Sequence, residues 1–443
     1  MQHLKDSMEN TMDAALYDIP TQRTCPFDPP PEYRHLRVEQ PILRVKTPRG
    51  DSTWLVTRYK DIRAVLSDKR FSSDPRRPGF PSYLTGDIAP PPGFFLLMDD
   101  ADHKRLRALI VGEFIGPQLE ALNPLMQSVV ARNMAALESL TPPQDLITTF
   151  ALPIAAQVIC ELLGVPYADH GFVQERTDTI LDRSRSPEEQ EAAVVELMGY
   201  FDQQVTLKEN APGNDLIGRL IQDPVRYSQV SHDELVGLAA LLLLSAYDTM
   251  AQVIGLGTVV LLQQPEQLNA FLEEPALADN FIDEMVRYLS VNHTGLPRVA
   301  TADVEIGGQL IRAGEGVVVM LNSGNRDELI YTQPDQLDIH RKARNHLGFG
   351  HGLHKCIGAH FARAELKIVF RSLFKQLPTL ALTCPIDALP FRHEMVLYGL
   401  KRLPITWTDG PRQAATEPVH SRPVQVPPNE ATQRGCPYTG SPL

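Results

Sequence analysis

Several things are scarce in this 443-residue chain, and each scarcity excludes something. Its five cysteines (25, 160, 356, 384 and 436) are odd in number and widely scattered, so no disulfide framework is implied and a reducing compartment fits. Met1–Thr24 is polar and charged and lacks the apolar core of a signal peptide. The longest apolar run, Leu235–Leu244, falls well short of the roughly 20 residues that span a bilayer, and reads as a buried helix. Positive charge is in deficit: 42 Lys and Arg against 54 Asp and Glu leave a net charge of −12. Wholesale binding to nucleic acid or to an anionic membrane is thereby disfavoured. There is no internal repeat and no flavin or nicotinamide fingerprint. What remains, 43% hydrophobic and 22% charged residues, is the composition of a globular protein with a sizeable core.

Periodicity then divides the chain. The Pro-rich stretch Cys25–Pro31 leads into the folded part. Ile42–Thr57 reads as a hairpin turning at Arg49-Gly50, and Tyr59–Ser67 as a helix. Asp74–Gly93 is a long loop rich in proline and glycine, and such loops are usually functional or disordered. From Ala101 to about Leu272 the pattern is almost wholly helical. Val299–Met320 switches to short strands with turns at Gly307-Gly308 and Gly314. Helix returns from Ile357 to about Gln376. After Trp407 the tail is polar and Pro-rich, and disorder is expected. The expected organisation is a polar extension over 1–24, one mainly α domain with small β-sheets (α+β) over 25–407, and a disordered tail over 408–443.

The most informative segment is Phe349-Gly350-His351-Gly352-Leu353-His354-Lys355-Cys356-Ile357-Gly358. Three glycines let the backbone turn tightly and approach a flat ligand. The run that follows, Ala359–Leu366, reads as a helix, so the Cys356 sulfur sits near a helix N-terminus that favours an anion. Three readings compete. A lone buried thiol is the usual fate of a free cysteine. A zinc site is suggested by His346, His351, His354, Cys356 and His360 lying within fifteen residues, but structural zinc sites usually take at least two cysteines, and the next one is Cys384. A thiolate ligand to the metal of a planar cofactor suits the glycines best.

This segment resembles the haem-binding loop of the cytochrome P450 family, F-G-x-G-x-H/R-x-C-x-G, at every fixed position. The resemblance implies haem b (iron protoporphyrin IX) with Cys356 as axial thiolate and Phe349, Gly350 and Gly358 as loop residues against the cofactor. A second segment, Ser245-Ala246-Tyr247-Asp248-Thr249, resembles the oxygen-activation motif A/G-G-x-D/E-T. The chemistry needs an alcohol at the dioxygen site and an acid to relay protons, because O–O cleavage consumes two of them. Thr249 and Asp248 supply both. Ser245 and Ala246 depart from the family pattern, and Ala246 adds a methyl where oxygen and substrate pass. The bland reading is a helix-bonded Asp-Thr pair.

Glu284-Met285-Val286-Arg287 resembles the family's E-x-x-R pair, with Arg341 in the place of its later basic partner; the implied role is structural. Asn325-Arg326-Asp327 looks like the family's N-R-D turn. Asp99–Arg107 resembles D-P-P-x-H-x-x-x-R with both prolines lost, and His103 and Arg107, at i and i+4, share a helix face. With Arg298 and His354 they match positions that hold the haem propionates, for which arginine suits the carboxylate geometry. Taken singly, each of them is more often an ordinary surface cation. The resemblance covers roughly Cys25–Trp407 and is to the soluble bacterial class.

It implies a cytoplasmic enzyme that activates O2 with electrons from a ferredoxin and its NAD(P)H-dependent reductase. Lys104, Arg105, Arg344, Lys355 and Arg363 are expected to form a basic docking face. By the same analogy the substrate is met by the loop 74–93, Phe94, Phe95, the segment 169–187, Leu242, Ser245, Ala246, Asn292, His293, Leu296 and the segment 392–397 with Met395. Asn292, His293 and Arg392 are candidates to hydrogen-bond a polar scaffold. The expected reaction is hydroxylation, or oxidative coupling or cyclisation, of a mid-sized, largely apolar natural product in secondary metabolism. The alternatives are a haem-thiolate protein without turnover (a sensor or recruitment scaffold) and a nitric oxide reductase.

Overall fold

The structure is a computed structural model and describes residues 17–47, 50–81 and 89–408. The chain begins with a short strand, β1 (Tyr17–Asp18), and a helix, α1 (Glu32–Glu39). The expected hairpin is formed by β2 (Ile42–Lys46) and β3 (Ser52–Val56), antiparallel with Arg44 opposite Trp54. Both faces of this pair are buried: Ile42 and Val56 face one apolar cluster, and Leu43, Val45 and Leu55 the other. Helix α2 occupies Tyr59–Ser67, the range that periodicity gave. It is followed by β4 (Phe71–Ser72). Residues 82–88 of the Pro- and Gly-rich loop lie outside the described residues.

The helical body consists of α3 (Asp100–Ile110), α4 (Gly116–Glu138), α5 (Leu152–Leu163), α6 (His170–Leu181), α7 (Pro187–Asn210) and the long α8 (His232–Leu262), with β5 (Gln144–Asp145) between α4 and α5. A capping box starts α8: the Ser231 hydroxyl accepts from the Glu234 N–H while the Glu234 carboxylate accepts from the Ser231 N–H. Its length and apolarity would suffice to cross a membrane, but the helix is buried against α5 and α7, so packing accounts for its composition. Two glycines show how closely the chain packs there. A Cβ at Gly93 would fall 2.0 Å from the Glu234 carbonyl, and one at Gly237 1.7 Å from that of Pro92, so the loop before Phe94 lies directly on α8.

Helices α9 (Pro265–Glu273) and α10 (Ala278–Leu289) lead to β6 (Leu296–Ala300), the small hairpin β7 (Val304–Ile306) and β8 (Gln309–Ile311), and β9 (Gly316–Val319). The main sheet has the order β1-β2-β3-β9-β6-β4, with β1–β2 and β3–β9 parallel. Helix α11 (Ala359–Gln376) follows the cysteine loop and packs on α8 and α10. Strand β11 (Pro404–Thr406) pairs with β10 (Ala381–Leu382) on one side and with β5 on the other.

Two readings of the termini change. Residues 17–24 are not mere extension: Tyr17–Asp18 pair with Val45–Lys46, Ile19 is buried, and the Arg23 guanidinium lies 3.9 Å from the centre of the Tyr398 ring. Composition missed this because two residues of backbone pairing leave no periodic signal. Cys160, Cys356 and Cys384 are free thiols, but Cys25 is disulfide-bonded, which the scattered spacing gave no reason to expect. The residues before Tyr17 and after Thr408 lie outside the described part.

Candidate active site

The cysteine loop folds as its glycines require. Gly350 and Gly352 both adopt φ of +70°, and a Cβ at Gly352 would meet the Leu66 carbonyl at 2.1 Å, so only glycine fits. The Cys356 N–H closes the loop by donating to the Phe349 carbonyl at 2.8 Å. The Cys356 side chain is accessible, although protein atoms crowd around it. Burial pushes the thiol above its usual range, against the Gly358 N–H, Arg107, Arg363 and Lys355, which favour the thiolate. The expected lowering at the helix start is present but outweighed; coordination to a metal would remove the proton outright.

Beside the thiol the structure gathers the four propionate candidates. His103 is fully buried and its ring lies 4.2 Å from that of His354. Arg107 donates from Nη2 to the Lys355 carbonyl at 2.7 Å, tying α3 to the cysteine loop. Arg298 is buried on β6, and Nη1 donates only to the adjacent Pro297 carbonyl. Neither ring nitrogen of His103 has a hydrogen-bond partner among the described residues, and Nδ1 of His354 has none either. Burial, with Arg107 and Lys104 nearby, pushes His103 down to about 4. Burial, with Arg298, His103 and Arg107, pushes His354 down to about 3, and burial brings Arg298 to about 10. Asp99 reaches His103 and Arg298 electrostatically, but its Oδ1 is taken by the Ser73 N–H at 2.7 Å. Two arginines beside buried ring nitrogens without partners call for an anion. A planar dianion carrying a metal for the Cys356 thiolate satisfies all of them, so these residues fit haem.

On α8, Ser245, Ala246 and Thr249 are open while Leu242 and Asp248 are buried. The Thr249 hydroxyl donates back to the Ser245 carbonyl at 2.7 Å. The helix runs unbroken from His232 to Leu262, consistent with alanine, not glycine, at 246. Asp248 Oδ1 accepts from Arg392 Nη1 at 2.5 Å and from Gln252 Nε2 at 3.0 Å.

Several expected substrate contacts are placed elsewhere. Phe95 is buried with its ring against His103, 5.7 Å between centroids. Phe94 lies against α8 near Gly237. His293 is buried, and Nε2 lies 2.6 Å from the Met395 carbonyl, so its role is to fasten the 391–400 segment; burial pushes it down to about 3. Asn292 uses Oδ1 to accept from the Gly295 N–H. Arg392 is committed to carboxylates. Leu296 remains half-open on β6, and Met395 is buried. Spacing could not reveal the commitments of His293 and Arg392, because their partners come from distant parts of the chain.

The structural candidates form a closed network. Arg287 grips Glu284 with two bonds, Nε–Oε2 2.7 Å and Nη2–Oε1 2.8 Å, both side chains fully buried. Arg341 Nε adds a third at 3.1 Å, and Arg287 Nη1 also donates to the carbonyls of Asn325 and Pro334. In the basic face, Lys104, Arg344 and Lys355 are exposed. Arg105 is instead paired with Glu234 and Asp102, and Arg363 with Asp283.

A mainly helical chain with one thiol on a glycine loop, beside buried cations that lack a counter-ion, defines the class of haem-thiolate proteins. Comparison with known proteins names the family. The family model for cytochrome P450 matches residues 188–380. The chain is 41% identical over 403 residues to cytochrome P450-SU2 of Streptomyces griseolus, covering 90% of this chain and 99% of that one. It is 41% identical to pentalenic acid synthase of Streptomyces avermitilis, with coverage of 88% and 97%. Among solved structures, the mycinamicin VIII C21 methyl hydroxylase of Micromonospora griseorubida superposes with a TM-score of 0.83 at 36% identity, covering 88% of this chain and all of the other. The chain belongs to the cytochrome P450 family and is a monooxygenase of its bacterial branch.

Proposed function

We propose that this enzyme binds haem b through Cys356 and uses O2 and externally supplied electrons to oxidise a mid-sized, largely apolar natural product. The observation that carries the reading is the group His103, Arg107, Arg298 and His354 beside the Cys356 thiol, with buried ring nitrogens that have no partner among the described residues and no carboxylate bonded to either arginine. When bound, haem supplies oxygen activation, and a thiolate ligand favours O–O cleavage. The chain's residues do the rest. His103, Arg107, Arg298 and His354 bind the propionates, while Phe349, Gly350 and Gly358 shape the loop that presents the sulfur. Thr249 offers its hydroxyl at the dioxygen site, and Asp248 holds the proton to be delivered there. Leu242, Ser245, Ala246 and Leu296 bound the substrate space.

The natural-product substrate is supported by the relatives, among them a mycinamicin hydroxylase and a pentalenic acid synthase. A place in secondary metabolism and in the cytoplasm follows the same likeness. Electrons come from a ferredoxin and its reductase, docking at Lys104, Arg344 and Lys355; a local basic patch steers an acidic partner despite the net charge of −12. No observation favours a sensor, a scaffold or nitric oxide reduction. The test is oxygen uptake driven by NADPH through a plant-type ferredoxin and reductase, with compounds first selected by a low-to-high-spin absorbance change. A spin-shifting compound should be converted with NADPH consumed in proportion. Binding without any oxygen uptake would overturn the proposal.

A further inference from the structure

The face of α8 that carries Asp248 and Gln252, one turn apart, lines a cavity of about 620 Å³. Thr249, about 100° further round the helix, does not line it. The other walls are Ile147 and Leu152, the segment around Asp178 on α6, the facing side of α7, and the 392–401 segment. Glu175 and Glu196 at the rim are exposed, so the cavity reaches the surface.

At its floor one guanidinium holds two carboxylates. Arg392 Nη1 donates to Asp248 Oδ1 at 2.5 Å and Nη2 donates to Asp178 Oδ1 at 3.2 Å. The Arg392 side chain is only 8% exposed and that of Asp248 1%. Asp248 Oδ2 is buried without a hydrogen-bond partner among the described residues. If Asp248 takes a proton it no longer balances Arg392, and a buried guanidinium without a counter-ion is strongly disfavoured. Asp178 supplies the missing charge.

We propose that Asp178 is a positioning residue: the second counter-ion that lets Arg392 release Asp248, so that Asp248 takes up a proton from the cavity and carries it toward Thr249. The proposal rests on the reading of Asp248 and Thr249 as the proton-delivery pair. The proton leaves a hydronium ion in the cavity, binds Asp248 Oδ2 and is passed on as the neutral carboxyl turns. Arg392 keeps its charge throughout.

The device has a pH signature. Although 45% of the Asp178 side-chain surface is open to the recess, burial pushes its carboxyl up to about 6, against Arg392 and with Asp248 adding to the rise. Around it stand Gln174 on α6, Asp182 just past its end, Tyr247 on α8 and Lys401 beyond Arg392. On α7, Glu189 and Glu196 are paired with Arg185 and Arg176. Below pH 6 Asp178 becomes neutral, so Asp248 must stay ionised to balance Arg392, and proton delivery falls.

The test uses holoenzyme with a plant-type [2Fe–2S] ferredoxin and NADPH reductase, reading oxygen uptake and peroxide yield between pH 5.5 and 8. Variant-to-wild-type ratios at each pH cancel the reductase's own dependence. The wild type should slow several-fold below pH 6, with a larger peroxide share. Asp178→Asn should be several-fold slow at pH 7.5 and lack that acid limb, and Asp178→Glu should restore both. Should Asp178→Asn lose haem, Arg392→Gln carries the test, because without the tether the limb must vanish. An acid limb that persists in both variants overturns the proposal. So does a slowing of Asp178→Asn that only follows its haem content. If Asp248→Asn also matches the wild type, the proton-delivery reading itself fails; if Asp248→Asn is slow while Asp178→Asn is silent, this inference alone fails.

Discussion

Two charge clusters near the cysteine loop behave oppositely. Around Glu284, Arg287 and Arg341, every strong donor meets an acceptor of the protein. Around His103, Arg298 and His354, ring nitrogens are left without partners and the Arg298 guanidinium donates only to the adjacent Pro297 carbonyl. Matched buried charge holds a fold together, while unmatched buried charge of one sign marks the place of a ligand. The same rule separates Arg392, which balances two carboxylates, from Arg107, whose Nη2 reaches only a carbonyl.

The largest effect that would break this comparison is in the closed cluster. Glu284→Ala leaves Arg287 buried and uncompensated, a loss of about 3–5 kcal/mol. Soluble yield and the denaturation midpoint should both collapse, and added haem should not restore them. A well-folded Glu284→Ala protein would remove the distinction. In the open cluster the chain should still fold. Arg298→Leu should instead speed haem loss to an acceptor apoprotein by roughly 10–100-fold, since a hydrogen bond to a charged group contributes about 1.5–3 kcal/mol. Unchanged haem retention would show that Arg298 does not hold a propionate.

A pH experiment sharpens the comparison further. His103 and His354 are held at about 4 and 3 in the fold, below the ordinary value of 6.5. Between those values the unfolded chain binds protons that the folded chain refuses, so each site loses stability as pH falls from 6.5. Haem-free protein should therefore melt progressively earlier from pH 7 to pH 5. Holoprotein should change less, because propionates favour the protonated rings. Parallel curves for the two forms would contradict this assignment. The smallest effect is at the surface: Lys355→Glu with Lys104→Glu should slow reduction by ferredoxin several-fold at low ionic strength and little at high salt. A deficit that persists at high salt would point to damage other than lost steering.

Much of the site was legible because its chemistry is written in contiguous residues. The cysteine loop confines its glycines and thiol to ten positions, and Gly350 and Gly352 answer a backbone need seen in the fold. Likewise α2 obeyed its 3.6-residue period to the last residue. What spacing could not disclose were partners from far along the chain. Arg392 meets Asp248 and Asp178 across 144 and 214 residues. His293, assigned to substrate by analogy, binds a carbonyl 102 residues away. Arg105 belonged to the basic face only until Glu234 was seen beside it.

The measurement that bears most directly on the account is the Soret band of the reduced carbon monoxide complex. Wild type, Cys160→Ala and Cys384→Ala should all show the red-shifted band of thiolate ligation, and Cys356→Ala should lack it. A red-shifted band retained in Cys356→Ala would contradict the assignment of the axial ligand and, with it, the reading of the cation cluster as a cradle for haem.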